Sequence, residues 1–130
     1  MLNIGDKFLK LYNRSEEIPF QEQSSLEGVD VKPGVKLRAL IIGSQNMAIE
    51  VFTKAGHSAP PHTHDHESLI YVISGKIRVT VDKEVFEVGP GDTCIHPLGS
   101  LHFSEALLDS HWLEFKNSTK IPWKNIANKQ

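Results

Sequence analysis

One short stretch of the sequence is unusually rich in histidine, and it reads Gly56-His57-Ser58-Ala59-Pro60-Pro61-His62-Thr63-His64-Asp65-His66-Glu67-Ser68. Four of the seven histidines of the chain fall within it. In an extended segment, side chains two residues apart point the same way, so His62 and His64 face one side together with His66 and Ser68. Neutral imidazoles are common nitrogen ligands of transition metals. The H-x-H pair therefore predicts a pincer that can bind a metal ion.

A third ligand has to come from elsewhere in the chain, because two imidazoles alone bind a metal weakly. A second stretch supplies a candidate, and it reads Gly91-Asp92-Thr93-Cys94-Ile95-His96-Pro97-Leu98-Gly99-Ser100-Leu101-His102. A turn precedes this stretch, and the Pro-x-Gly bend at Pro97 and Gly99 aims its last histidine. His102 is therefore the candidate third ligand.

Around these two stretches the sequence has the pattern of an all-β protein. Apolar residues recur in short runs broken by Gly, Pro, Asn and Asp, and no long stripe of helical period is present. The runs predict about eight short strands, a number typical of a sandwich or barrel. They lie at residues 35–42, 47–54, 69–74, 77–81, 85–88, 93–96, 102–106 and 111–116.

The predicted organisation is a single domain with two flanking segments. Residues 1–33 form an N-terminal extension, for which the apolar run Phe8 to Tyr12 predicts an edge strand, and residues 34–116 form the barrel. Residues 117–130 form a C-terminal tail, in which Ile121-Pro122-Trp123 is expected to pack on the barrel. A chain of 130 residues has no room for a second domain.

Composition excludes several classes of partner and site. The net charge of −2, with scattered Lys and Arg, argues against nucleic acid and against a membrane surface. Cys94 is the single cysteine, so no internal disulfide and no zinc site of paired cysteines can form, and we expect it to be a small buried hydrophobe. The first residues lack the pattern of a secretory signal, so a cytoplasmic location is expected.

Both histidine stretches resemble the two motifs of the cupin superfamily. The first motif runs G-x5-H-x-H-x3-E-x6-G and the second G-x5-P-x-G-x2-H-x3-N, and the resemblance covers about residues 35–116. The matching positions are Gly56, His62, His64 and Gly75 in the first motif and Gly91, Pro97, Gly99 and His102 in the second. The resemblance implies a double-stranded β-helix, or jelly-roll, barrel. It also implies that His62, His64 and His102 hold one divalent transition metal ion, with zinc, nickel, iron and manganese all open.

Two motif positions depart from this pattern. The glutamate ligand falls on Ser68 and the final asparagine on Ala106. Loss of the carboxylate removes one negative charge from the site and leaves a coordination position to water or substrate. Ser68 and His66 are therefore considered as a fourth ligand or as residues just behind the ligands, and for His66 the latter role or a surface position is favoured.

A closer resemblance, to the small pectin and alginate degradation cupins, rests on His62-Thr63-His64-Asp65-His66-Glu67 and on Glu105-Ala106-Leu107-Leu108-Asp109-Ser110. Those proteins convert unsaturated uronates into open-chain keto sugar acids and use an acidic residue on the last strand. Glu114 falls near that position and is the candidate for proton transfer, with His111 as the alternative. On an alternating strand only one of the two faces, 111 with 113 or 112 with 114, can line the cavity.

Three functions remain open from the sequence: a metal-dependent isomerase or lyase acting on a small polar acid such as a sugar acid derivative, a three-histidine iron dioxygenase, and a non-catalytic domain that binds a small molecule. The aromatic residues Tyr71, Phe103 and Trp112 are candidates for the substrate cavity. His96, before a proline at a bend, is expected to be structural. A homodimer is expected by analogy with cupins of this size.

Overall fold

Residues 2–4, 7–26 and 29–117 are described by the structure, which is a computed structural model of the chain. They form antiparallel strands and one short 3-10 turn, Ser15–Glu17. The strands are β1 (Leu2–Ile4), β2 (Lys7–Leu9), β3 (Gln21–Glu22), β4 (Ser25–Leu26), β5 (Val29–Asp30), β6 (Val35–Ile42), β7 (Asn46–Thr53), β8 (Ser68–Ser74), β9 (Ile77–Val81), β10 (Glu84–Val88), β11 (Thr93–His96), β12 (His102–Ala106) and β13 (Ser110–Asn117).

Two sheets make up the jelly-roll barrel. The larger has the order β11-β8-β13-β7-β6-β3 and the smaller the order β10-β9-β12, while β1-β2 and β4-β5 are separate hairpins. Strands distant in sequence lie side by side, since β13 pairs with both β7 and β8. This interleaving confirms the predicted all-β jelly roll.

The core lies between the two sheets because one face of each strand is apolar. On β9, Ile77 and Val79 are buried and Arg78 is exposed, as the alternation predicted. Val72 on β8 and Val79 on β9 are both completely buried. The barrel therefore closes around a single apolar core.

The N-terminal extension flanks the larger sheet in a different place from the expected one. An edge strand was predicted at Phe8 to Tyr12, but Lys7–Leu9 pairs with Leu2–Ile4, and the strand that borders β6 is Gln21–Glu22. Arg38 on β6 explains this docking, since its guanidinium donates to the carbonyl oxygens of Ser15 and Ile18 at 2.8 and 3.0 Å. The predicted tail contact of Ile121-Pro122-Trp123 lies outside the described residues.

The structure explains why the motif position 75 carries a glycine. Its φ of 90° lies in the left-handed region that favours glycine. A Cβ at this position would also collide with the backbone carbonyl of Asp109 and with Ser110. Gly75 therefore allows the β8–β9 corner to pass directly against the start of β13.

Several apolar side chains remain exposed on the outer face of the larger sheet. Ile95, Leu69 and Phe115 lie opposite one another across β11, β8 and β13, and each is about two-fifths or more exposed. The structure describes one chain, so the homodimer stays a prediction. Within the described ranges, no helix has the length and apolar character needed to cross a membrane.

Candidate metal centre

Backbone hydrogen bonds bring the two histidine stretches together. The His62 amide donates to the His102 carbonyl at 3.1 Å, and the His102 amide donates to the His62 carbonyl at 3.0 Å. The Gly99 amide donates to the His64 carbonyl at 3.0 Å, which fixes the Pro-x-Gly bend of the second stretch against the first. The segment between β7 and β8 is thus held in place although most of it is not a regular strand.

The three candidate ligands converge in the described structure. One nitrogen from each of His62, His64 and His102 lies within 4.8 Å of the others. The ring centroid of His102 lies 4.6 Å from that of His62 and 4.6 Å from that of His64. The structure therefore places the H-x-H pair and its distant partner around one point.

Hydrogen bonds to backbone carbonyls set the tautomer of each ring. The Nδ1 of His62 contacts the Pro60 carbonyl at 2.9 Å, and the Nδ1 of His102 contacts the Ser100 carbonyl at 3.1 Å. The Nδ1 of His64 contacts the His66 carbonyl in the same way. A carbonyl oxygen can only accept, so Nδ1 carries the proton and Nε2 presents its lone pair, as in most metal-binding histidines. The three residues fit a divalent transition metal.

Burial keeps the central ring neutral. His102 is 2% exposed, and desolvation, helped by the nearby imidazole of His96, lowers the pKa of His102 to about 4. A neutral imidazole is the form that binds a metal. His102 is therefore in its ligating form at neutral pH without help from a bound ion.

The two uncertain positions beside the ligands have different environments. The His66 ring stacks on His64 at 4.1 Å between centroids, and His66 is not part of the group of converging nitrogens. Its position supports the role behind the ligands. Ser68 is completely buried, and its hydroxyl has no hydrogen-bond partner among the described residues. The cluster thus consists of three imidazoles without a carboxylate.

A cavity of about 90 Å³ extends from the histidines into the barrel. Trp112, Glu114 and Lys116, on one face of β13, line it. The alternative residue His111 points the other way, where its Nε2 lies 2.7 Å from a Glu50 oxygen and its ring stacks on Phe52 at 3.9 Å. Of the two faces considered for β13, the one with residues 112 and 114 faces the cavity.

Both carboxylate oxygens of Glu114 are engaged. The Trp112 Nε1 donates to Oε1 at 2.9 Å, and the Lys116 ammonium lies 2.8 Å from Oε2. The Lys116 side chain is 1% exposed and the Glu114 side chain 12%. Glu114 and Lys116 therefore form a buried ion pair in the wall of the cavity.

Two of the three predicted aromatic positions line the cavity. Phe103 and Trp112 do so, but the expectation for Tyr71 is wrong, since it is 45% exposed on the outer face of β8. The reason is the alternation of β8, whose buried side chains are Ser68, Ile70 and Val72.

Sequence reasoning missed two residues of the cavity. His96 was expected to be structural, yet it lines the cavity and stacks on His102 at 4.2 Å. Lys116 was not considered, although it has the same strand parity as Glu114, and this signal could have found it. Cys94 also lines the cavity, where desolvation and the Glu114 charge raise its thiol pKa to about 12, which disfavours the nucleophilic thiolate.

Comparisons with known proteins agree with this architecture. A family model described as "Cupin domain" matches residues 49–106. Among solved structures the chain is similar to KdgF from Halomonas sp., with 26% identity, 82% of this chain and 93% of that chain covered, and a TM-score of 0.69. It is also similar to an RmlC-like cupin from Shewanella frigidimarina, with 19% identity, 83% and 90% covered, and a TM-score of 0.70. The polyketide cyclase RemF from Streptomyces resistomycificus shows 22% identity, 88% and 83% covered, and a TM-score of 0.69. No curated protein matches the chain.

Proposed function

This chain contains a cupin domain, and from that premise we propose that it is a metal-dependent isomerase or lyase acting on a small acid. One observation carries the proposal: the converging imidazoles of His62 and His102 and the carboxylate of Glu114 border the same cavity. Lewis-acid groups and proton-transfer groups have to reach the same substrate, and a shared cavity meets that condition.

His62, His64 and His102 would hold the metal through Nε2, since backbone carbonyls engage the other nitrogen of each ring. A bound divalent metal supplies Lewis-acid polarisation of a substrate oxygen. Zinc, nickel, iron and manganese all remain candidates. The protein contributes three rings held by contacts of their Nδ1 atoms with backbone carbonyls, and a largely apolar cavity wall.

Glu114 is the proposed proton-transfer residue. Trp112 and Lys116 each donate to one of its oxygens, and these contacts hold the side chain in the cavity wall. In the proposed reaction, a Glu114 oxygen takes a proton from the carbon next to the substrate carbonyl and returns it at a neighbouring atom. The small acid as substrate class is taken from the sequence resemblance to the pectin and alginate degradation cupins.

The metal site is tested by replacing each of His62, His64 and His102 with alanine and measuring metal content after purification without added metal. We expect each variant to lose most of its metal while the wild type retains about one ion per chain. His111→Ala is the matched control, since its ring lies on the outer face of β13 and should leave metal content unchanged. Full metal content in all three alanine variants would remove the metal from the proposal.

Catalysis is tested with Glu114→Gln on any small acid that the wild type converts. Turnover should fall at least about a hundredfold, the usual worth of general acid–base catalysis, with metal content intact. Unchanged turnover would remove Glu114 from the mechanism. If the wild type binds small acids and converts none, the non-catalytic reading replaces this proposal.

A second function is favoured by one specific observation. The converging group contains three imidazoles and no carboxylate, a neutral ligand set that also suits ferrous iron and oxygen chemistry. Metal identity and oxygen uptake separate the two functions. Zinc or nickel without oxygen consumption supports the isomerase or lyase, whereas iron with oxygen consumption supports a dioxygenase.

A further inference from the structure

The cavity behind the histidines is elongated along the strands of the larger sheet. On β7 its lining includes Ile49, Val51 and Thr53. Glu114 lies opposite Ile49, and Thr53 lies four residues further along β7. A strand rises about 3.3 Å per residue, so the levels of Glu114 and Thr53 are about 13 Å apart along β7. The cavity therefore has two distinct ends.

The chain between His57 and His62 runs along β12 and connects these two ends. At one end, the His57 amide donates at 3.1 Å to the carbonyl of Lys54, the residue that follows Thr53. At the other end, His62 pairs with His102. Thr53 and His57 both line the cavity, so they belong to the end that is remote from the candidate metal ligands.

The hydroxyl of Thr53 is buried at this remote end and has no hydrogen-bond partner among the described residues. Thr53 is 6% exposed and shares the inward face of β7 with Ile49 and Val51. A buried hydroxyl without a partner destabilises the folded chain, whereas valine has nearly the same shape and no hydroxyl to satisfy. A ligand that forms a hydrogen bond with Thr53 would remove this penalty.

Other polar side chains of the cavity differ from Thr53 because they already have a contact. Ser104 carries the other hydroxyl in the lining, and its Oγ lies 3.5 Å from the His96 Nε2. At the remote end, the His57 Nε2 contacts the Lys32 carbonyl at 2.8 Å. Most of the remaining lining residues are aliphatic. Thr53 is thus an isolated polar group at the end of an apolar passage.

We propose that Thr53 recognises the ligand, through a hydrogen bond from its hydroxyl to a polar group at the ligand's end remote from the histidines. A staggered rotation about χ1 turns the hydroxyl toward a bound molecule. A ligand hydroxyl can both donate and accept, as Thr53 can, so the ligand class is an acid with an aliphatic body and a terminal hydroxyl. The acid end of this class rests on the proposed function, whereas the hydroxyl end rests on Thr53.

Titration calorimetry on the full chain tests the proposal with two matched pairs of probes. The pairs are 6-hydroxyhexanoate with heptanoate and 8-hydroxyoctanoate with nonanoate, in which a methyl group replaces the hydroxyl. In at least one pair, the wild type should bind the hydroxy acid at least about fivefold more tightly, because the methyl group leaves the Thr53 hydroxyl unpaired. Thr53→Val should reverse this order, because the ligand hydroxyl then lacks its partner. A wild type without this preference in either pair overturns the proposal.

The stability of the ligand-free protein gives a second readout. Thr53→Val should raise the thermal midpoint by at least about 2 °C, since it removes a buried hydroxyl that lacks a partner. Thr53→Ser keeps the hydroxyl and should keep the preference for the hydroxy acid. Thr93→Val, at an exposed position of β11, is the matched control and should change neither quantity. A lower thermal midpoint for Thr53→Val means that the hydroxyl is bonded within the protein, and it overturns the proposal.

The titrations separate this proposal from the proposed function. Each titration is run on metal-analysed protein and on chelator-treated protein. A hydroxyl preference that Thr53→Val reverses, in either preparation, upholds the role of Thr53 even if the alanine variants show that the histidines hold no metal. Loss of metal in those variants, together with equal binding or no binding of both members of each pair at millimolar concentration, rejects the role of Thr53 alone.

Discussion

The buried ion pair between Glu114 and Lys116 gives a stability prediction that the structure makes quantitative. The two charges are 2.8 Å apart, and their side chains are 12% and 1% exposed. Breaking a buried pair by removing one partner leaves an uncompensated charge and costs about 3–5 kcal/mol. Lys116→Met should therefore lower the free energy of unfolding by that amount, a large share of the roughly 5–15 kcal/mol typical of a domain.

Removing both charges, of Glu114 and Lys116, should lower the free energy of unfolding far less than removing Lys116 alone. In Glu114→Gln/Lys116→Met the amide oxygen of glutamine still accepts from the Trp112 Nε1, which now donates to Glu114 at 2.9 Å. No charge remains to be desolvated, so the double variant should lie within about 1 kcal/mol of the wild type. The double variant should thus be more stable than the single variant Lys116→Met.

The assay is urea denaturation of chelator-treated protein, so that metal binding does not add to the stability of the folded state. The exposed pair of Lys76 and Glu87, at 3.4 Å with side chains 51% and 40% exposed, is the matched control. Lys76→Met should change the free energy of unfolding by less than about 1 kcal/mol. If Lys116→Met costs no more than this control, the Glu114 carboxylate is not held in a desolvated pair and the reasoning is refuted.

Further predictions concern three other residues. The pKa of His102 falls from 6.5 to about 4 on folding, so this group should stabilise the metal-free protein fully above pH 6.5. The free energy of unfolding should then fall by about 3 kcal/mol as the pH is lowered to about 4, which urea denaturation at a series of pH values measures. A flat stability profile over that pH range would contradict this prediction. Cys94, with a thiol pKa raised to about 12, should resist thiol reagents at pH 8 in native protein and react after unfolding, and rapid native labelling would refute its burial. Gly75→Ala should lower the free energy of unfolding by about 2–4 kcal/mol, measured by thermal or urea unfolding, because a Cβ at this position meets the Asp109 carbonyl. Gly91→Ala is the control and should cost about 1 kcal/mol, since Gly91 has a similar positive φ and no neighbour within 4 Å of such a Cβ. Equal costs for the two variants would contradict the steric explanation.

The strands were predictable from sequence because their signals are local. The hairpin of β6 and β7 and the strand β9 follow from apolar runs and the turn at Gly43, and the structure places them within one residue of the predicted bounds. The convergence of His62 with His102 was predictable because glycine and proline positions fix the geometry of both stretches. Local pattern and turn chemistry are sufficient for these features.

Features that depend on which face of a strand is buried were harder to predict from the sequence. Tyr71 was assigned to the cavity, although alternation from the inward position Ser68 would have placed it outside. Lys116 was missed because a lysine near the end of a strand usually lies in solvent, and only its partner on the same face explains its burial. The edge strand at Gln21–Glu22 depends on contacts of Arg38 with a segment about twenty residues away, and no local pattern encodes such a contact.

The reciprocal main-chain bridge between His62 and His102 has a consequence for how this site can change over time. The bridge uses only amide and carbonyl groups, so it does not depend on which side chains the two positions carry. Substitutions at positions 62, 64, 68 and 102 can therefore change the number and charge of metal-ligand atoms, while the backbone hydrogen bonds that orient these positions remain. In this fold, new chemistry requires new side chains and no new backbone.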